Sequence, residues 1–389
     1  VTRRDPSAPP ICRDPRRHGS LPDVHNPFLP GPAKAIDLSN HAPTTTAQEP
    51  AARDLRRRVT RFQTPVPHKS LAQALTSIGG FLAVTAAMYA TAGISYWIAL
   101  ALAPLAAAFL VRTFIVQHDC GHGALFRTRR PNDVLGFACS MVTLTPYLSW
   151  RRQHAGHHGV WNNLDRRDTG VDIYSSCLTV AEYRALGRWR RLWYRLLRNP
   201  AVANVVLPPF VFLVLYRLPF DMPEGWRRER RGVHLTNLAL AALFGGLGLL
   251  LGFGLVAAIQ IPIVALAAII GVWLFTIQHR GAATVWARQA DWTAQAASLT
   301  GSSHLRLAPV LQWFTGNIGL HHIHHLNPRI PNYRLQECHD AIGPDVRDVP
   351  VVTLGSAFRS LFYVLWDEQR QRMVTFRGAM LGRLRPLPA

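Results

Sequence analysis

The chain has 389 residues, with 43 Lys plus Arg against 22 Asp plus Glu, a formal net charge of +21, and 49% hydrophobic residues. So large a basic excess raises nucleic acid as a partner, but the cations flank long uncharged runs and no recognised nucleic-acid motif accompanies them, so an anionic membrane surface fits better. Five scattered cysteines, Cys12, Cys120, Cys139, Cys177 and Cys338, show no CxxC spacing, which excludes a disulfide framework or a zinc ribbon.

Residues 1–60 hold ten of the 28 prolines by position 50, with neither an apolar period nor a signal-peptide core, and are expected to form a disordered tail. The 41 residues from Leu71 to Val111 then contain no Asp, Glu, Lys or Arg, and neither do the 47 from Val233 to His279. At about 1.5 Å per residue each run covers roughly 60 to 70 Å, two crossings of a hydrocarbon core about 30 Å thick. Each run therefore predicts a helical hairpin. The first turns near Ala92–Trp97, where Tyr96 and Trp97 suit the headgroup level, and the second near Gly252 to Gly254. The expected fold is an all-α integral membrane protein: four transmembrane helices, a helical cap, one domain over 61–375 and a short tail over 376–389.

Between the hairpins, Gly123 to Val233 carries 18 Arg and no Lys against 8 acidic residues. The positive-inside rule puts this segment, the N-terminal tail and the C-terminal part in the cytoplasm, as expected for a multi-pass membrane protein. The Arg-rich cap then faces anionic headgroups and secondarily offers a landing surface for an acidic electron donor. Two apolar stretches, within Pro131–Trp150 and Val202–Tyr216, are short for secure crossings and are read as interfacial or re-entrant helices. Arg188 to Arg198 alternates basic with aromatic or aliphatic residues at near-helical spacing, which predicts a helix lying in the interface.

Three histidine boxes punctuate this plan: His118 and His122; His154, His157 and His158; and His321, His322, His324 and His325. Residues three and four apart are neighbours on a helix, so each box projects its imidazoles from one face. His322, one step from its neighbour, points about 100° away and is left out. Eight neutral nitrogens exceed what one metal uses and imply two metals. Imidazole suits iron, zinc, copper and nickel alike; a dinuclear site beside a bilayer, suited to oxygen activation at an unactivated C–H bond, favours redox-active iron over zinc. His279, at the end of the fourth predicted span, is a possible further ligand. His18, His25, His41, His68, His234, His304 and His339 are read as isolated surface or capping residues.

The strings around the boxes carry a resemblance. They are His118-Asp-Cys-Gly-His-Gly-Ala-Leu-Phe126, Trp150-Arg-Arg-Gln-His-Ala-Gly-His-His158 with Asn162 to Gly170, and the long run from Trp313 to Leu335. Over roughly residues 70 to 340 the chain resembles the membrane-bound fatty acid desaturases, specifically the acyl-lipid omega-6 (delta-12) type of bacteria and cyanobacteria. The resemblance implies a di-iron enzyme that uses O2 and two electrons to remove two hydrogens from a membrane lipid's acyl chain, leaving a cis double bond and water. It implies His118, His122, His154, His157, His158, His321, His324 and His325 as iron ligands and, by analogy, His279 as a ninth. Asp119, Asp165, Asp168 and Asn317 are implied to stand behind the ligands, orienting ring N–H groups or holding a water. A heme-binding HPGG-type segment is lacking, so electrons are expected from a separate ferredoxin-like protein and its reductase.

One departure stands out: relatives carry aromatic and acidic residues after the Gln-His pair, where this chain has Ala282 and Ala283. Two alternatives differ in their chemistry. A hydroxylase of an alkane, sterol or carotenoid would use similar boxes and differ in product. A His-rich metal transporter would need ionisable ligands at membrane depth, which the uncharged hairpins do not supply. The soluble di-iron carboxylate architecture is excluded, because no Glu-x-x-His pair occurs.

Overall fold

A computed structural model describes residues 48–167, 176–220 and 222–381. In chain order, α1 (Gln48–Thr60) precedes the first hairpin, α2 (Pro67–Ala92) and α3 (Tyr96–His122). Then come α4 (Arg129–Thr143), α5 (Tyr147–Val160), β1 (Leu178–Thr179), α6 (Val180–Ala185) and α7 (Arg188–Leu197). A π-turn over Val202–Val206 leads into α8 (Leu207–Leu213), and the second hairpin follows as α9 (Arg227–Leu251) and α10 (Phe253–His279). Among the described residues, α2, α3, α9 and α10 are the four helices long and apolar enough to cross a membrane. Both hairpins turn where the sequence predicts, and Ile94 and Trp97 stand exposed at the first tip.

The hairpins pack through small residues. Ala99, Ala103, Ala106 and Ala107 of α3 are fully buried in a cluster that also holds Met88 of α2 and Ile259 and Ile263 of α10. Small side chains let helix backbones approach closely, which matters where lipid supplies no hydrophobic drive between helices. α3 runs on past the uncharged stretch to His122 and stops at Gly123, whose φ of +70° is the left-handed cap that glycine takes without strain. The first histidine box is thus the last turn of a membrane-length helix.

α4 returns along α3 and hands over to α5 through Tyr147. That ring is fully buried against Gly136, where an added Cβ would fall 2.3 Å from it, and its hydroxyl lies 2.9 Å from both the Cys120 carbonyl and the Asp133 carboxylate. α5 is tied in turn to the start of α9 by the Arg152–Glu229 ion pair at 3.1 Å. Arg227, at the start of α9, therefore lies at the end of the bundle where α5 and His279 sit. α7 and the 202–217 helix, bent by 54° at the break between them, come between those two points in the chain, which fits a re-entrant pair better than a span. α7 leaves Trp189, Leu192, Trp193 and Leu196 exposed on one face, a stripe that suits a helix lying in a membrane interface.

The remainder of the cap comprises α11 (Ala294–Thr300), β2 (His304–Arg306), α12 (Pro309–Phe314), α13 (His321–Leu326) and α14 (Leu335–Ala341). It closes with β3 (Val351–Thr353), α15 (Leu354–Ser360), β4 (Leu365–Asp367), β5 (Arg372–Val374) and α16 (Phe376–Leu381). Short strands, which the helical reading did not include, pair as β1-β4-β5 and, in parallel, as β2-β3.

Two boundaries need correction. Residues 48–60 are not tail: α1 buries Leu55 and Val59 against Ile323, Ile330 and Leu335 beside the third histidine box, and Arg58 pairs with Asp345 at 2.7 Å. At the other end, 376–381 is not tail either, because Phe376 packs on Tyr183 and Tyr194. Apolar burial in the cap fixes both segments; in α1 it rests on Leu55 and Val59, which stand among arginines in the sequence.

Candidate metal centre

Three helix ends and one short helix meet at the cap side of the bundle. α3 contributes His118 and His122, α5 contributes His154, His157 and His158, α10 ends on His279, and α13 brings His321, His324 and His325. The nine nitrogen sets sort into two groups. In the first, His118, His122, His154, His158 and His324 place ring nitrogens within 4.8 Å of one another, and in the second His157, His279 and His325 do the same. His321 joins the second group, its Nε2 lying 3.1 Å from that of His279 and 3.2 Å from that of His325.

The separations identify what the groups can hold. Nε2 atoms face each other at 3.1 Å between His118 and His324, 3.0 Å between His324 and His158, and 3.2 Å between His158 and His154. In the second group His279 Nε2 lies 3.1 Å from His157 and 2.9 Å from His325. Adjacent ligands on a metal with nitrogen at about 2.1 Å stand about 3 Å apart, so these distances fit a shared cation. A hydrogen-bond network fits less well. His279 Nδ1 is 2.8 Å from the Phe275 carbonyl, to which it donates its proton, so one Nε2 lone pair is left facing three other ring nitrogens. His122 Nε2 is buried with no hydrogen-bond partner at all.

Electrostatics keep the donors ready. Burial, then repulsion from neighbouring imidazoles, holds His154, His158, His321, His324 and His325 well below the ordinary histidine range, so each stays neutral with a lone pair to offer. His118 is oriented from behind: its Nδ1 donates to Asp119 Oδ1 at 3.0 Å, which leaves Nε2 free. The other Asp119 oxygen accepts from the Asn332 backbone N–H at 2.8 Å and its Nδ2 at 2.9 Å. Asn332 is held in turn by Gln73 Nε2 at 2.6 Å.

Asp165 does not join them. Asp165 is half-exposed and bound to Arg288 at 2.6 Å and to the Gln289 N–H at 2.8 Å, facing a surface ion pair rather than the imidazoles. Asp168 lies outside the described residues. Asn317 donates to the Asn332 carbonyl at 3.1 Å and supports the loop under Asp119 instead of touching a histidine. Ala282 and Ala283 are exposed, whereas His279 is fully buried. His304 and His339, read as isolated, are not: His322 turns away from the centre and its Nε2 meets His339 Nδ1 at 3.0 Å, with the His304 ring 5.0 Å from that of His339.

Three further residues shape the centre. Trp150 stacks on His154 with ring centroids 4.7 Å apart at 16°, and Trp161 packs on His279 at 4.3 Å and His157 at 5.1 Å. Asn332 is the third. Trp150 and Asn332 stand inside the strings quoted above, but only the folded chain shows what they touch. Below the imidazoles lies an apolar cavity of about 330 Å³, headed by His118, His154, His157 and His321. Phe114 of α3, Phe212 of α8 and Phe275 of α10 wall it, and its lining on α10 runs from Gln278 to Val264, on the order of 20 Å along the helix.

Comparison with known proteins agrees with this geometry. The sequence model of the fatty acid desaturase family matches residues 95–354. A fatty acid desaturase of Bacillus subtilis (strain 168) is 40% identical over 326 residues, covering 84% of this chain and 91% of that protein. An sn-1 oleoyl-lipid 12-desaturase of Synechocystis sp. is 29% identical over 60% of this chain and 65% of its own length. An sn-1 acyl-lipid omega-3 desaturase (ferredoxin) of the same organism is 26% identical over 59% of this chain and 63% of its own.

Proposed function

The chain belongs to the fatty acid desaturase family, and from that premise we propose that it desaturates the acyl chain of a membrane lipid, introducing a cis double bond at the omega-6 (delta-12) position. The observation that carries this reading is the placement of two groups of ring nitrogens at the head of an apolar cavity about 20 Å long. In this proposal His118, His122, His154, His158 and His324 hold one iron, and His157, His279, His321 and His325 hold the other. Iron so bound would supply the activation of O2 that C–H cleavage requires.

The chain's own residues do the rest. The cavity wall of Phe114, Phe212 and Phe275 excludes water and straightens the acyl chain, and the depth at which the chain rests beneath His118 and His157 sets which carbons are reached. Asp119 and the Phe275 carbonyl fix two imidazoles by their Nδ1 protons, so the donor set does not reorganise between turnovers. The balance is one O2, two electrons and two protons consumed with the two acyl hydrogens, giving the alkene and two waters. A ferredoxin-like protein with its reductase supplies the electrons; one Synechocystis relative carries ferredoxin in its name. The Arg bias around the histidine side supports placing that face in the cytoplasm of a bacterial inner membrane.

The test is the fatty-acid profile of a host that makes no polyunsaturated lipid, with and without this chain. A new diene is the expected product. A hydroxylated chain in its place would assign the centre to a hydroxylase, and an unchanged profile, with the protein inserted and iron-loaded, would remove the reading.

A further inference from the structure

On the far side of α3 from the acyl cavity, a second recess opens between α2 and α12, lined by Lys69, Gln73, Thr76, Arg112, Trp313 and Asn332. The cavity takes Val111, Phe114, Ile115 and His118 from α3; at about 100° per residue Arg112 points well away from that face. Arg112 is 7% exposed. Its guanidinium donates to the Trp313 carbonyl and lies 3.8 Å over the Trp313 ring, yet its Nε has no hydrogen-bond partner. Among the described residues no carboxylate pairs with it.

Gln73, 6% exposed, is in a similar position: its Nε2 is engaged by Asn332 and its Oε1 has no partner. Arg112 therefore lines the recess as a buried full positive charge with no carboxylate to face it, while the Gln73 carbonyl is an acceptor and adds nothing toward an anion. The Trp313 carbonyl and ring hold the guanidinium but carry no negative charge, and a cation without a countercharge in a membrane span is costly and marks a site. Arg112 lies ten residues, about 15 Å, from the histidine end of α3, near the border of the hydrocarbon layer, and Lys69 stands exposed at the start of α2. Arginine's planar fork matches the oxygens of a phosphate, and a lysine at the rim adds a second positive charge.

We propose that this recess binds the phosphate of a membrane phospholipid, with Arg112 at its floor and Lys69 at its rim, on the face of α3 opposite the acyl cavity. Gln73 and Asn332, which stand behind Asp119, also line this recess, but the phosphate assignment does not depend on the desaturase reading.

The experiment uses the iron-loaded protein in detergent micelles, melted with added phosphatidylglycerol, with diacylglycerol of the same chains, or with inorganic phosphate. Phosphatidylglycerol should raise the melting temperature by several degrees more than diacylglycerol, and native mass spectrometry should find a retained phospholipid. Arg112→Gln should abolish that increment, Arg112→Lys should keep part of it, and Lys69→Gln should reduce it. Should Arg112→Gln fail to fold, Ala72→Phe, which fills the recess from an exposed position, takes its place and should likewise abolish the increment. An equal response to diacylglycerol, or an increment that survives Lys69→Gln together with Arg112→Gln or Ala72→Phe, would overturn the assignment. Inorganic phosphate acting as well as the lipid would overturn the lipid part of it.

Discussion

His279 occupies an unusual position for a single imidazole, since its Nε2 faces those of His157, His321 and His325 within 3.1 Å. His279→Ala should therefore lower iron content and activity together, and loss of activity with full iron would contradict its role. Asp119→Asn keeps the shape but weakens the hold on His118, and a loss of about 10- to 100-fold in iron affinity or turnover is expected. Ala282→Glu, by contrast, adds a carboxylate at an exposed position, so turnover should stay within a few-fold of the native value and the product should remain an alkene. The cluster of His304, His322 and His339 gives a pH prediction. Burial pushes His304 down to about 4 and His322 to about 3, with mutual repulsion adding to it. Folded, these rings stay neutral where the unfolded chain takes up protons, so their contribution is complete above about pH 6.5 and is lost as pH falls from there towards 4. Melting temperature measured from pH 7.5 to 5 should fall, and His304→Gln with His339→Gln should flatten the slope; an unchanged slope would discount the cluster.

The element scale separates what the sequence disclosed from what it hid. The hairpins were legible because a run of 41 or 47 residues without a charge has one economical reading in a bilayer. Histidine spacing likewise pointed to eight of the imidazoles, since i, i+3 and i+4 share a face of whichever helix carries them, whereas His279 was marked only by its place at the end of the fourth span and by the resemblance. Contacts between segments far apart in the chain were hidden. Asp165 and Asn317 carry the right chemistry in the right strings, yet Arg288 takes the first and the Asn332 carbonyl the second. α1 was hidden for a different reason: its two buried residues, Leu55 and Val59, sit among arginines that mask the apolar face. Leu55→Ala should cost roughly 2–5 kcal/mol of stability, the range for emptying a buried leucine site, read as a lowered melting temperature. A shift no larger than that of an exposed control such as Arg57→Ala would mean that α1 does not dock in solution.

For the whole molecule, the requirement is that all four histidine-bearing segments reach one end of the bundle. Two hairpins, with α5 tied to the start of α9, satisfy it. Reporter tags after Arg130 and after Arg198 should then give one sidedness, the cytoplasmic one, and a tag near Ile94 the other. A split between the first two would place a crossing within the central segment and pull the boxes apart. The measurement that bears most directly on the centre is iron per chain in protein loaded and purified without oxygen. The two groups of imidazoles require about two irons in the native chain, about one after His122→Ala and about one after His279→Ala, with each variant still inserted in the membrane. A native stoichiometry of one, or two irons retained in either variant, would contradict the two-iron account.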